Sequence, residues 1–307
     1  MYNKIEEIIG NTPMLKLNNL KKELKYYADI YVKLEYLNPA GSIKDRAALF
    51  MLNDAIEKGL ISEGATIIEP TSGNTGIGIA CICASRGYKA ILTMPDTMSK
   101  ERIMLLKAYG AEIVLTDGKL GMKGAIEKAE EIKNKTENSI ILGQFSNSAN
   151  IDAHYKTTAR EIYKDMEGKF DYFVATVGSG GTISGCAKYF KEVDKNIKVY
   201  GIEPASSPLI SKGISGAHKI QGIGANFIPD NYKGEFVDEI LTVTDEDAFK
   251  YSRLLCKLEG ALCGISSGAA LSGAVKIASD IKNKDKKIVV ILPDTGDRYL
   301  SSGIVEE

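Results

Sequence analysis

Short continuous apolar runs alternate with helical patterns along most of this chain. ATIIEP (65–70) leads through TSGNTG into IGIACICASRG, KAILTMP (89–95) precedes the amphipathic KERIMLLKAYG, and AEIVLTDG (111–118) precedes GAIEKAEEIKNK. The same rhythm returns in FDYFVATV (170–177), KVYGIEP (198–204) and KIVVILPD (287–294). Apolar runs of strand length followed by helix-period segments predict an α/β fold with mainly parallel sheets. In such sheets ligands bind where loops leave the C-terminal ends of strands. Nearly every unusual loop of this sequence falls at such a place.

Composition narrows the picture without deciding it. A chain of 307 residues, 44% hydrophobic, is long enough for one large or two medium domains. With 39 basic and 40 acidic residues the net charge is −1, which gives no bulk attraction to nucleic acid or to an anionic membrane. The N-terminal MYNKIEEIIGNTP lacks the features of a signal peptide and no segment reaches membrane-spanning length, so a cytoplasmic protein is expected. Five cysteines sit mostly in apolar runs and read as reduced, buried residues. Cys81 and Cys83 flank a single residue and only two histidines are present, so no metal site is expected.

Six loops carry candidate chemistry. In KLEYLNPAGSIKDR (33–46) an apolar strand and a Pro-Ala-Gly-Ser turn place Lys44 at a helix start. The N–H groups and dipole there disfavour an ammonium, which makes a neutral amine available for a Schiff base; a solvated surface lysine is the plainer alternative. TSGNTG sets Thr71, Ser72, Asn74 and Thr75 beside helix N–H groups, an anion cradle suited to a carboxylate, or else a capped turn. Gly178, Ser179, Gly180, Gly181 and Thr182 form a glycine nest suited to a phosphate. It is neither a P-loop nor a dinucleotide fingerprint, since Ile183 stands where the last glycine of the latter belongs. GISSGAA (264–270) offers Ser266 to a ring nitrogen, or merely as a helix cap. GQFSNSAN carries Gln144 after the strand SIILG, and KIQGIGANFIP carries Gly222 and Gly224. Amine, phosphate nest, carboxylate loop and ring-nitrogen hydroxyl together describe a site for pyridoxal phosphate and an amino acid.

From IGNTPMLKL (9–17) to LPDTGDRYLS (292–301) the sequence resembles the cysteine synthase, or O-acetylserine sulfhydrylase, family of fold-type II pyridoxal-phosphate enzymes. PAGSIKDR, TSGNTG, MSKERIMLLKAYGAEIVLT, KIQGIGA, GISSGAA and PDTGDRYLS carry the likeness. It implies a tryptophan synthase β-like architecture of two three-layer αβα domains, residues 41–150 forming a smaller mobile one and residues 1–40 with 151–307 a larger cofactor-binding one. It implies Lys44 as the Schiff-base lysine and general base, Gly178 to Thr182 on the phosphate, Asn74 on the ring 3-hydroxyl and Ser266 on the ring nitrogen. Thr71, Ser72, Thr75 and Gln144 are implied for the substrate carboxylate, with Gly222 and Asn226 near the substrate entrance. The implied reaction is β-replacement: O-acetyl-L-serine loses acetate, an α-aminoacrylate forms, and sulfide adds to give L-cysteine. The same chemistry starting from L-cysteine releases hydrogen sulfide and yields lanthionine or L-serine. A homodimer and a serine acetyltransferase partner are further implications. Ser179, Ser148 and Asn226 depart from the family pattern of threonine, proline and glycine. Other fold-type II enzymes, such as threonine synthase, serine dehydratase or cystathionine β-synthase, fit KIQGIGA and PDTGDRYLS less well, and a non-catalytic nucleotide-binding protein leaves Lys44 unexplained.

Overall fold

In the computed structural model, which describes residues 1–98 and 100–305, strands form where the apolar runs place them. In chain order the elements begin β1 (Met14–Lys16), α1 (Asn18–Leu24), β2 (Asp29–Leu34), α2 (Lys44–Glu57), β3 (Thr66–Pro70), α3 (Asn74–Arg86) and β4 (Lys89–Pro95). They continue with α4 (Lys100–Ala108), β5 (Glu112–Thr116), α5 (Gly121–Lys135), β6 (Ser139–Ile141), α6 (Ala149–Ala153) and α7 (Ala159–Asp165). The second half supplies β7 (Tyr172–Thr176), α8 (Gly181–Val193), β8 (Lys198–Pro204), α9 (Leu209–Lys212), β9 (Glu239–Val243), α10 (Asp245–Glu259), α11 (Ile265–Ala278) and β10 (Lys287–Leu292). Ser99, inside the motif MSKERIMLLKAYG, lies outside the described residues.

The chain folds as two compact units, residues 1–9 with 38–150, and residues 10–37 with 151–307. The first nine residues cluster with the smaller unit, whereas the expectation from sequence placed them with the larger. The Arg86–Glu6 ion pair, 2.8 Å between Nε and Oε2, is one bond that ties them there.

In the smaller unit the strand order is β5-β4-β3-β6, all parallel. Its core is Ala47, Met51 and Leu52 of α2, Ile77, Ile79 and Ile82 of α3, and Ile67, Leu92 and Met94 of the sheet. From Thr75 to Cys83 every residue of α3 is buried, so this helix is apolar all round, as a helix packed on both sides must be. Gly78 sets how close α2 can come: a Cβ there would stand 3.2 Å from the Lys44 carbonyl oxygen and 3.3 Å from Ala48 Cβ. Because β3 pairs with β6 at Ile68 and Ile141, the segments that carry Thr71 and Gln144 leave the sheet side by side.

The larger unit has the order β1-β2-β10-β7-β8-β9, parallel except for β1 against β2. Its core combines Ile30 and Val32, Val174, Ile202, and Val290 of the sheet with Ala269, Leu271 and Ala274 of α11. Helices α10 and α11 press so closely that a Cβ on Gly268 would collide with the Ala248 carbonyl and Ser252. Gly268 of GISSGAA is therefore a packing glycine. Between α6 and α7 the helix takes one π turn, His154–Thr158. No helix among the described residues is long and apolar enough to cross a membrane.

Candidate active site

In the smaller unit the turn before α2 is held by its own side chains. Gly41 takes φ +78° and its N–H donates to the Asn38 carbonyl at 2.8 Å. The buried Asp45 carboxylate accepts the Ala40 N–H at 2.7 Å, and the Ser42 hydroxyl oxygen accepts the Lys44 N–H at 3.2 Å. Lys44 is the first residue of α2, as its place in the sequence predicts, and is half-buried. With Gly78 limiting the approach of α3, the Lys44 backbone is fixed from two sides.

The loop after β3 is braced differently. Thr71 Oγ1 accepts the Gly73 N–H at 3.2 Å, a short local bond that shapes the turn into α3. Thr75, 2% exposed, donates its hydroxyl to Gln144 Oε1 at 2.6 Å. Gln144 is itself placed from below: its N–H and that of Gly143 donate to the two carboxylate oxygens of Glu69, at 3.1 and 3.0 Å. Asn150 Nδ2 donates to the Gln144 carbonyl at 2.8 Å. Burial pushes the Glu69 carboxyl above its usual range, while the backbone N–H groups of Gln144, Gly143 and Leu142 pull the other way. Ser72 and Asn74 are half-buried on the same loop. Thr71, Ser72, Asn74 and Thr75 follow one another after β3, and the Thr75 hydroxyl brings Gln144 to them. Glu69 and Asn150, which hold Gln144, were not singled out from the sequence. A glutamate inside the apolar strand ATIIEP was the available signal.

In the larger unit the glycines of 178–182 are enforced by neighbouring backbone. A Cβ on Gly178 would collide with the Gly222 carbonyl oxygen. Gly180 takes φ +84°, and a Cβ there would stand 2.6 Å from the Tyr232 N and 2.8 Å from the Asn231 carbonyl carbon. Gly180 also caps α8, a helix of 13 residues whose first N–H groups have no partner within the helix. Backbone N–H groups at a helix start, with the Ser179 and Thr182 hydroxyls among them, fit a phosphate ester. Thr182 Oγ1 lies 3.3 Å from His154 Nε2, and His154 Nδ1 lies 3.0 Å from Thr158 Oγ1.

The segment 219–229 reaches this cradle from the same unit, since the Gly224 N–H donates to the Val177 carbonyl at 3.2 Å and Gly222 (φ +89°) presents its carbonyl to Gly178. Asn226 is exposed on that segment. Ser266 is 5% exposed in the first turn of α11. That turn is anchored by Ser252, whose hydroxyl donates to the Cys263 carbonyl at 2.7 Å, and by the Gly264 N–H on the Asp294 carbonyl at 2.9 Å. Burial and the nearby Asp294 carboxylate push the Cys263 thiol well up, so it is no thiolate nucleophile.

The family described as pyridoxal-phosphate dependent enzyme matches residues 5–294. The chain belongs to that family. It is similar to a cysteine synthase of Staphylococcus aureus, 51% identical over 299 residues that make up 97% of this chain and 95% of the relative. Among solved structures, a cysteine synthase of Entamoeba histolytica superposes with a TM-score of 0.96 at 44% identity, covering 100% of this chain and 92% of that one. A hydrogen sulfide-producing enzyme of Fusobacterium nucleatum superposes with a TM-score of 0.93 at 49% identity, covering 98% and 100%. The pyridoxal-phosphate-dependent class and the fold-type II architecture expected from the sequence are borne out. The turn at the start of α8, whose Gly178 and Gly180 admit no Cβ, offers helix N-terminal backbone that suits the cofactor's phosphate.

Proposed function

We propose that this pyridoxal-phosphate enzyme makes L-cysteine from O-acetyl-L-serine and sulfide by β-replacement. The observation that carries the reading is the Thr75–Gln144 pair, a hydroxyl and an amide oriented by a buried carboxylate beside the N-terminus of α3. Two neutral hydrogen-bonding side chains with helix N–H groups suit a small amino-acid carboxylate. The 51% identity to a cysteine synthase over nearly the full chain supports the choice of reaction.

Thr71, Ser72, Thr75 and Gln144 take the substrate carboxylate, and Gly178, Ser179, Gly180, Gly181 and Thr182 hold the cofactor phosphate. Asn74 meets the ring 3-hydroxyl and Ser266 the ring nitrogen. Gly222 and Asn226 border the route of the substrate. Bound pyridoxal phosphate supplies an electron-withdrawing ring that acidifies the α-proton of the attached amino acid. Lys44 would hold the cofactor through its Nζ, and the same amine would serve as general base for the α-proton. Acetate leaves the β-carbon, hydrosulfide adds there, and Lys44 returns the proton at Cα. A homodimer and a serine acetyltransferase partner belong to the same reading, and light scattering with and without the acetyltransferase reads both.

A second reading is favoured by one observation, the 49% identity to a hydrogen sulfide-producing enzyme. In it L-cysteine is the donor, sulfide leaves, and water or a second cysteine adds to give L-serine or lanthionine. Incubating the holoenzyme with O-acetyl-L-serine plus sulfide, and separately with L-cysteine alone, separates the two. Cysteine formation at the higher kcat/KM supports the proposal; faster sulfide release from L-cysteine, with lanthionine or serine as product, replaces it with the second reading.

A further inference from the structure

His154 is one of two histidines in the chain and is fully buried. It sits in the only π turn among the described residues, and such turns often mark functional positions. Its two ring nitrogens face two threonine hydroxyls: Nε2 stands 3.3 Å from Thr182 Oγ1 and Nδ1 stands 3.0 Å from Thr158 Oγ1. The turn is pressed against α8, since a Cβ on Gly185 would stand 2.9 Å from both His154 Cβ and the Tyr155 N. The ring is therefore held in place from its own helix and from the helix that carries Thr182.

A threonine hydroxyl has one proton to give. If Thr182 donates it to His154 Nε2, an oxygen lone pair faces whatever anion the cradle holds, and the contact is repulsive. If Nε2 carries the proton and donates to Thr182 Oγ1, the Thr182 proton is free to point at the anion. A neutral imidazole with its proton on Nε2 must accept at Nδ1, and the Thr158 hydroxyl is at the right distance to donate there. The alternative imidazolium would place a charge in a fully buried site. Every polarity in the row then agrees: Thr158 donates to His154, His154 to Thr182, and Thr182 to the anion.

We propose that His154 is a positioning residue for the cofactor phosphate, fixing through its Nε2–H the direction in which the Thr182 hydroxyl donates. The inference rests on the reading of Gly178 to Thr182 as the phosphate cradle. It gives the π turn a purpose.

The test uses holoenzyme and reads cofactor dissociation together with the phosphorus-31 resonance of the bound phosphate. His154→Phe keeps the bulk and removes both nitrogens; it should speed dissociation about tenfold, the worth of one charge-assisted hydrogen bond, and shift the phosphorus resonance. His154→Gln, which restores an N–H donor, should recover most of both. Thr158→Val, nearly isosteric, removes only the bond that fixes the tautomer and should give a smaller change in the same direction. If His154→Phe does not fold, Thr158→Val decides, and a Thr158→Val holoenzyme with wild-type dissociation and phosphorus resonance overturns the proposal. Thr182→Val separates two failures. A weakened Thr182→Val beside a His154→Phe of wild-type dissociation and spectrum overturns the role of His154 alone. A Thr182→Val with unchanged dissociation and spectrum overturns the cradle assignment and the proposal with it.

Discussion

Two strand-to-helix loops, one in each unit, meet similar demands by opposite means. The loop 178–182 is shaped by backbone crowding: Gly178 and Gly180 are the only residue type their neighbours admit, and Gly180 adds a left-handed φ. The loop 71–75 is shaped by side chains: Thr71 closes its turn, Thr75 reaches Gln144, and Glu69 holds Gln144 from beneath. Gly73 in that loop has no atom nearer than 3.9 Å to a Cβ and an extended φ of −98°. A backbone-walled nest suits one unchanging phosphate. A loop held by hydroxyls and an amide has bonds that a substrate carboxylate can exchange, so it suits a ligand that comes and goes.

The largest effect that this contrast predicts is at Gly180. Gly180→Ala places a methyl against the Tyr232 N and forces a left-handed φ on alanine, costing at least about 2 kcal/mol. Urea unfolding should show the loss, and cofactor retention should fall with it. A variant as stable as wild type would mean that the nest is not backbone-walled.

Thr75→Val should act on the substrate and not on the cofactor. Losing the 2.6 Å bond to Gln144 should raise KM for the amino-acid substrate about tenfold while the bound-cofactor spectrum stays as in wild type. A changed cofactor spectrum with unchanged KM would reverse the roles assigned to the two loops.

Glu69 tests how the support beneath Gln144 is charged. Its carboxyl is held above the usual glutamate value of 4.5, chiefly by burial. A group that binds its proton more tightly folded than unfolded contributes fully below the unfolded pKa and loses that contribution as pH rises above it. The stability of wild type relative to Glu69→Gln should therefore decline from about pH 4 upward, read by urea unfolding across the range. A difference that grows with pH would show that the three backbone N–H groups outweigh burial and hold the carboxylate ionised.

The smallest effect is expected at Gly73. Gly73→Ala has room and an accessible φ, so its cost should stay within about 1 kcal/mol, the range of an N-cap change. A loss as large as that of Gly180→Ala would erase the contrast between the loops.

Much of this was legible because local chemistry and position coincide. The runs 89–95 and 198–204 are strands at the predicted residues, and Lys44 opens its helix, because apolar continuity and turn residues act over a few neighbours. The glycine nest was legible as a pattern, but its cause was not. Gly178 is required by Gly222 and Gly180 by Tyr232, residues 44 and 52 positions away, and no local rule reports them. Glu69 was hidden for the same reason: its partners at 143 and 144 come from the neighbouring strand's exit, a matter of sheet order. His154 looked like one of two unremarkable histidines until the packing of α8 against the π turn set it beside Thr182. Residues 1–9 are tied to the smaller unit in part by a side-chain pair, Arg86 with Glu6, that spacing does not announce.

The central claim is that Lys44 carries the cofactor. Borohydride reduction of the purified holoenzyme, followed by peptide mass spectrometry, fixes the cofactor to whichever lysine holds it. The account predicts a pyridoxyl-phosphate adduct on Lys44 and its disappearance in Lys44→Ala, with turnover reduced at least about a thousandfold. An adduct on a different lysine of the wild-type protein, or a Lys44→Ala variant that keeps both adduct and turnover, would contradict it.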